Sequence, residues 1–563
     1  MKQNLKNSLF ERHPLATVFL FVFVCLFPMM LTRDFTISNE LRYLSIADEA
    51  ISGGHVFAFY NHGIPYADKP PLYLWLVMLC RLIFGHHSML ALSLFSVIPA
   101  FAVVWLMDRW VMKNAPAADR MAAAMMLLTC AMFLGTMVVV RMDMMMCMFI
   151  VLALFTFWRM YSLRNSGDPE GADAAEYRKC SWLLPVWIFL ALFTKGPVGL
   201  LVPPVSITVF LLVRRRWRDI PRYLGWKTWG VIAGLCALWF TGVFIDGGIG
   251  YLDNLLFKQT MGRAVNAFTH SRPFWFYAVA LLWCIAPYTL LLLCPLVLSL
   301  LPACRKGTAC DPRSDVETLF LCVIMSTFVM LSSFDSKLPI YLVPIFPFVV
   351  YLLPVVAERR GCGRWTSWAA GIPAAIFVLA GAAAALVVSG VVCPAAAEPL
   401  KAEYPFAFTA PAVAASVLLL AGSATALWLA VRRRGWNSSS FMIGLSMLLA
   451  VHAASWALDE ANPYIGYGGI SEAVPEGTEV ATLFLHRPEN MDVYVGRQIK
   501  DYGNDVDEFL RDAAEGRPVT LITKKEMLDG VPELREYADG AAGVSFSGPY
   551  CAVVSPSARL ENK

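Results

Sequence analysis

Several short stretches of this chain join acids, cations and aromatic groups in patterns suited to chemistry on a charged substrate. In Asn39-Glu40-Leu41-Arg42-Tyr43, a helix brings positions 39, 42 and 43 to one face and sets Glu40 about 100° round from Asn39. The first-turn dipole favours an ionised Glu40, so a base and a cation are held close together. Arg141 and Asp143 flank Met142 at a hairpin between two apolar runs, a depth at which ionisable groups are costly unless paired or used. Lys69, Lys195 and Lys337 precede Pro-Pro, Gly-Pro and Leu-Pro. Each therefore sits on a stiff, locally non-helical backbone that suits a fixed point charge for a phosphate. Lys258 and Arg263 add to these cations, and His270 with Pro273-Phe274-Trp275-Phe276-Tyr277 marks the start of a long apolar run. Each motif has a bland reading as well: a solvated acid beside an arginine, a structural Arg141–Asp143 pair, a snorkelling lysine, an interfacial aromatic. Their gathering on one face makes a lipid-phosphate site the better account.

The elements that must position these residues are membrane spans. The 563 residues are 58% hydrophobic and 16% charged, with a mean hydropathy of +0.58, too apolar for a soluble chain of this size. A span needs about 20 apolar residues, and windows of that kind predict about thirteen: 15–31, 88–107, 120–140, 144–163, 181–193, 197–213, 226–245, 274–301, 317–333, 339–357, 366–391, 406–431 and 438–458. The run 15–31 lacks a small-residue cleavage pattern before Arg33-Asp34 and reads as a retained first helix. Basic clusters such as Arg109/Lys113/Arg120, Arg214/Arg215/Arg216/Arg218 and Arg432/Arg433/Arg434 fall at the N-terminus and in every second loop, which makes those loops cytoplasmic. The intervening loops, which hold the motifs above, are then outside. The apolar segment 71–85 is short, contains Arg81 and would invert every later loop if it crossed, so it reads as an interfacial helix.

The first outer loop, 32–87, is predicted to open with a helix from near Ser38 to Gly53-Gly54, whose Ile37, Leu41, Leu44 and Ile51 lie along the membrane. Residues 1–458 form the membrane domain and 459–563 a small α/β domain outside it, with β-rich runs at 480–486, 492–496, 518–523 and 548–554 and a helix at 506–516. A net charge of +4 spread over loops gives nucleic-acid binding little support. No zinc-like cysteine pairs occur among the fourteen cysteines; Cys393 and Cys551 fall on the outer side and suit a disulfide.

With these residues in hand, the sequence resembles the GT-C membrane glycosyltransferases that use polyprenyl-phosphate-linked sugars. It is most similar to the bacterial aminoarabinose transferases of lipid A and their protein O-mannosyltransferase-like relatives. The motifs cover about residues 15–358. The resemblance implies an all-α polytopic fold of about thirteen spans with an outer C-terminal domain, in the bacterial inner membrane, N-terminus cytoplasmic and C-terminal domain periplasmic. It also implies inverting transfer of a sugar from an undecaprenyl-phosphate carrier to a lipid, glycan or protein acceptor. The family's Glu-Lys-Pro-Pro matches Asp68-Lys69-Pro70-Pro71, giving Lys69 the phosphate contact. Its Lys-Leu-Pro-x-Tyr matches Lys337 to Tyr341, and its arginine after the acid pair matches Arg42. Lys195 and Arg263 complete the donor-phosphate set, and Tyr43, Asp68, Arg141 and His270 the substrate contacts.

Cations at the leaving phosphate lower the barrier to breaking the anomeric bond, while a carboxylate orients or deprotonates the acceptor. The sequence points to no certain cofactor, and Asp68 with His270 could bind a divalent ion. The family's catalytic aspartate falls on Asn39, which cannot act as a base. Three readings stay open: Glu40 takes the role with Asp143 as partner, Asp34 or Asp143 takes it, or the chain is a catalytically silent homologue. A flippase for lipid-linked sugars is the reading from another class; it would show paired halves with interrupted helices and ionisable groups at the midplane.

Overall fold

The computed structural model of the chain describes residues 9–165, 172–257, 271–301, 313–361, 364–389, 394–515 and 518–556. Among the described residues nine helices are long and apolar enough to cross a membrane, and a tenth is the pair Ala117–Thr129 and Ala131–Val138, bent by 69°. The chain is a multi-pass, mainly α-helical membrane protein.

The remaining expected spans differ from the rule in identifiable ways. Ala172–Lys195 carries charged residues through its first turns, and Pro197–Val213 is only 17 residues long. The run expected over 274–301 is not continuous. It is Phe276–Cys284 and Thr289–Leu300, interrupted where Pro287 supplies no backbone donor. This break lies against the bend at Cys130. The Ala131 amide donates to the Ala286 carbonyl at 2.8 Å, and the Thr129 and Tyr288 hydroxyls lie 2.8 Å apart. Backbone groups freed inside a membrane protein need such partners, and here two broken spans supply them to each other.

The first outer loop begins at Arg33, the C-cap of the span Pro14–Thr32. Its helix runs Glu40–Gly53, with Asn39 rather than Ser38 at the N-cap position, making no side-chain cap bond, and is closed by Gly54 in the left-handed region. The expectation that this helix lies along the membrane is corrected: Leu41, Leu44, Ile46 and Ala47 are wholly buried in protein. Each large apolar side chain so buried contributes about 1.5–3 kcal/mol, which fixes the helix against its neighbours. The next helix, Pro71–Phe84, spans about 21 Å at 1.5 Å per residue, too short to cross. It leaves Leu79, Leu82, Ile83 and Phe84 exposed as an apolar strip suited to a membrane surface, and Arg81 reaches back to Asp48 at 2.9 Å.

A helical run Trp436–Ile465 continues beyond residue 458 into the C-terminal region. The first loop holds a two-stranded pairing of β1 (Tyr60–Asn61) and β2 (Ile64–Pro65). The C-terminal region holds five strands, β3 (Glu479–Thr482), β4 (Ile499–Asp501), β5 (Val519–Lys524), β6 (Gly543–Ser547) and β7 (Tyr550–Val554), in the order β4-β3-β5-β7-β6. β3 is parallel to β4 and β5, and β7 antiparallel to β5 and β6. The strand expected over 492–496 is instead a helical turn, Asp492–Val495, stopped by Gly496 at φ 68°.

Strand alternation divides the sheet between two cores. Ala481, Leu521, Cys551 and Val553 pack with Phe509, Leu528 and Leu534 of the region's own helices. Val480, Ile522 and Ala552 pack with Leu41, Leu44 and Ile46 of the first-loop helix. Cys551 is a buried free thiol against the Thr523 carbonyl, while its expected disulfide partner Cys393 lies outside the described residues.

Candidate functional site

Arg33 and Glu40 organise the loop. The Arg33 guanidinium donates to both Glu40 carboxylate oxygens at 2.7 and 2.8 Å and to the Asp34 and Val138 carbonyls. Glu40 also accepts the Thr36 amide at 2.7 Å and the Val140 amide at 2.6 Å. Each carboxylate oxygen thus takes two donors, the full capacity of the group. Burial pushes the Glu40 carboxyl up, but Arg33 and the two amides outweigh it and hold the group below the usual carboxylate range. The sequence expected Glu40 as the catalytic carboxylate; in the structure its acceptor sites are filled by Arg33, Thr36 and Val140. Its effect is to clamp the end of the first span, the first-loop helix and the 138–140 turn together.

That clamp aims the next residues. Ser96 donates to the Val139 and Arg141 carbonyls, fixing the turn that leads into Asp143–Asn165. Asp143, wholly buried, accepts from Arg141 Nε at 3.1 Å and from Lys195 Nζ. Lys195 ends its helix, and Gly196 at φ 111° then reverses the chain, a conformation that favours glycine. The Lys195 ammonium lies 4.4 Å from the centre of the Tyr341 ring, itself on a short 3-10 helix, Pro339–Ile345.

A second group of side chains faces the first. Lys69 pairs with Asp68 at 2.6 Å, and the Tyr66 hydroxyl is 3.4 Å from the same carboxylate. Arg42 donates to Asn39 Oδ1 at 2.9 Å and lies over the Tyr66 and Tyr43 rings at 5.6 and 5.8 Å. Tyr43 packs edge-on against Tyr73, ring centres 6.1 Å apart, with both rings buried. The two groups are electrostatically one: Lys69, Asp68, Asp143 and Arg141 all act on the Tyr341 hydroxyl, and Lys69 acts on Lys195. Four cations, Arg42, Lys69, Arg141 and Lys195, therefore share this region with two carboxylates, Asp68 and Asp143, an excess of two positive charges. Such a region suits a phosphate group.

Other expected site residues lie elsewhere. Asp34 accepts the Phe35 and Gly468 amides at 2.7 and 2.8 Å and the Tyr494 hydroxyl. A Cβ on Gly466 or Gly468 would meet the Asp34 carboxylate at 2.4 or 2.8 Å, so only glycine admits this contact. Asp34, expected among the catalytic carboxylates, here fastens the C-terminal region to the loop. Lys337, almost fully buried, donates to the Arg272 carbonyl at 2.9 Å. Expected at the donor phosphate, Lys337 spends one of its three donors on bracing the strand-like bridge of Ser271 with Ser336 just before Tyr341. Arg263, Lys258 and His270 lie outside the described residues. Asp68 is engaged by Lys69, and among the described residues no group of three or more His, Cys, Asp or Glu is placed to hold a metal ion.

The sequence reading missed Arg33 as the partner of Glu40 and Tyr66 as the link between Asp68 and Arg42. An arginine seven residues before an acid, across a helix start, carries no periodic signal. An aromatic just before Asp68-Lys69 was the available hint for Tyr66.

No family model matches the chain. A curated relative from Enterobacter sp. (strain 638), named undecaprenyl phosphate-alpha-4-amino-4-deoxy-L-arabinose arabinosyl transferase, is 24% identical over 322 residues, 56% of this chain and 54% of the relative. A protein of the same name from Erwinia tasmaniensis is 24% identical over 442 residues, 76% of this chain and 74% of the relative. The chain thus spans as little as about half the length of the curated relatives it matches. Among solved structures, ArnT from Cupriavidus metallidurans bound to undecaprenyl phosphate superposes with a TM-score of 0.70 at 18% identity, covering 96% of this chain and 98% of that one. The apo state of the same protein gives 0.69. From its first span to its C-terminal sheet, then, the chain has the GT-C fold and is similar to the aminoarabinose transferases.

Proposed function

We propose that this chain is an integral membrane glycosyltransferase that moves a sugar from an undecaprenyl-phosphate carrier to an acceptor on the periplasmic face of the inner membrane. The observation that carries the reading is the set of Lys69, Arg141 and Lys195 with Asp68 and Asp143 around Tyr341, joined through Tyr66 by Arg42, an excess of two cations over carboxylates. A phosphodiester-linked donor carries one negative charge and its departing phosphate two, so these cations act more strongly as the anomeric bond breaks. Lys69, Arg42, Lys195 and Arg141 stabilise the leaving phosphate, and the Tyr341 hydroxyl donates to it. Lys337 positions Tyr341 through its bond to Arg272. The basic loops support a cytoplasmic N-terminus. Residues 459–563 are then a periplasmic cover docked on the first loop through Asp34.

The acceptor side follows from the carboxylates. With Asn39 unable to take a proton and Glu40 filled, Asp143 keeps one unused acceptor direction on each oxygen beyond its bonds to Arg141 and Lys195. It orients the nucleophile. An acceptor that is already anionic, such as a phosphate of lipid A, needs no base, and a region rich in cations favours it over a neutral hydroxyl. Direct displacement inverts the anomeric centre.

The test uses the full-length protein in lipid with labelled undecaprenyl-phospho-sugars, following release of undecaprenyl phosphate. Turnover in the wild type, and its loss in Asp143→Asn and in Lys69→Ala, the latter with unchanged melting temperature, is the expected result. Wild-type protein that binds the carrier yet releases none from any donor would overturn the transferase reading.

A further inference from the structure

A charged cavity lies at the far end of the first span from the site. The first span, Pro14–Thr32, has Arg33 and the site at its C-terminal end; its N-terminal end, about 28 Å away at 1.5 Å per residue, opens into a cavity of about 400 Å³. Its walls include Arg12, His13, Trp105, Arg109, Lys113 and Arg120. One acid, Asp108, is present and already matched: Arg120 grips both its oxygens at 2.9 and 2.7 Å. Among the described residues, no other acid lining the cavity offsets Arg109 and Lys113.

Three further features fit a membrane-embedded anion. Trp105 is 47% exposed on the outer surface of its helix, where an indole marks the boundary between tails and headgroups. Arg109 stacks over that indole, 5.4 Å from the ring centre, so the cation is held at headgroup level. The helix Met89–Met107 passes into a π turn, Asp108–Met112, a widened backbone that recurs at binding sites. The first span also begins here with no side-chain cap on its free amides, and these favour an anion.

We propose that this cavity binds the phosphate of an anionic glycerophospholipid headgroup from the leaflet opposite the reaction site. Arg109 and Lys113 supply the charge, and Trp105 lies along the upper acyl region. The site is independent of the glycosyl donor, because a membrane-spanning helix separates it from Lys69 and Asp143.

The experiment uses the full-length protein in nanodiscs and by native mass spectrometry. Phosphatidylglycerol is compared with phosphatidylcholine, and inorganic phosphate is added as a competitor. Wild-type protein is expected to retain phosphatidylglycerol and to melt at higher temperature in it. Each Lys or Arg near a membrane surface contributes about 1 kcal/mol, so R109E/K113E weakens retention by more than about thirtyfold. R432E/R433E, which removes equal charge from another basic loop, leaves it unchanged. If R109E/K113E does not fold, R109Q/K113Q replaces it, with about thirtyfold as the expected loss. Equal retention by the cavity variant and the wild type overturns the proposal. So does an equal loss in R432E/R433E, which would mean general attraction to basic loops, or displacement of the lipid by millimolar inorganic phosphate, which would mean a free-phosphate site.

Discussion

Two buried carboxylates, Glu40 and Asp143, sit in neighbouring parts of the same face and are used in opposite ways. Glu40 meets one guanidinium and two backbone amides, four short bonds that leave no acceptor capacity. Asp143 meets two side-chain cations that are themselves part of a wider charged group. A carboxylate bound by backbone is committed to architecture, because its partners cannot move without the chain. One bound by flexible side chains can exchange a partner for substrate. Burial alone did not distinguish them; the kind of donor did.

Removing the Glu40 carboxylate is the sharpest way to break this comparison. Glu40→Ala leaves the Arg33 charge buried and unpaired, at a cost of about 3–5 kcal/mol, read as a lower melting temperature and loss of activity together. If activity falls while the melting temperature holds, Glu40 is chemical after all. Next in size, Lys69→Ala should slow turnover about a hundredfold, or about 2.7 kcal/mol of barrier. Its partly exposed pair with Asp68 means the melting temperature changes little. Activity within a few fold of wild type would remove Lys69 from the phosphate set.

A smaller effect concerns acid. The Glu40 carboxyl is depressed in the folded protein, so its stabilisation is complete above its unfolded value of about 4.3. It is lost as pH falls through the lower folded value. Thermal melts from pH 7 down to pH 3 should steepen downward in acid for the wild type, and Glu40→Gln should flatten that slope. Parallel slopes would mean that another acid controls the acid transition. Smallest of all, Asn39→Asp should change turnover by no more than a few fold if the acceptor is anionic. A hundredfold gain would show that a base had been missing.

Much of the cation set was legible because proline and glycine punctuate it: Lys69, Lys195 and Tyr341 stand beside backbone breaks that hydropathy and turn chemistry expose. The structure brings all three into one electrostatic group. What could not be read was partnership across distance. Glu40 is bound by Val140, a hundred residues on, and nothing in the local pattern around either announces the other. The first-loop helix showed an apolar side, but the sequence did not say that a C-terminal sheet would cover it through Val480, Ile522 and Ala552. The turn at 492–495 failed as a strand because Gly496 in the left-handed region ends a helical turn as readily as it ends a strand.

Asp34 gives the C-terminal region a standing that its position outside the bundle conceals. Residues 33–40 are fastened at one end to the turn bearing Arg141 and Asp143, through Glu40, and at the other to Asn462, Gly468 and Tyr494, through Asp34. The C-terminal region is therefore not a detachable module. A chain cut after residue 458 would keep every cation of the site and lose the outer anchor of the segment that aims them, so the unit fit for engineering or transplantation is the whole chain.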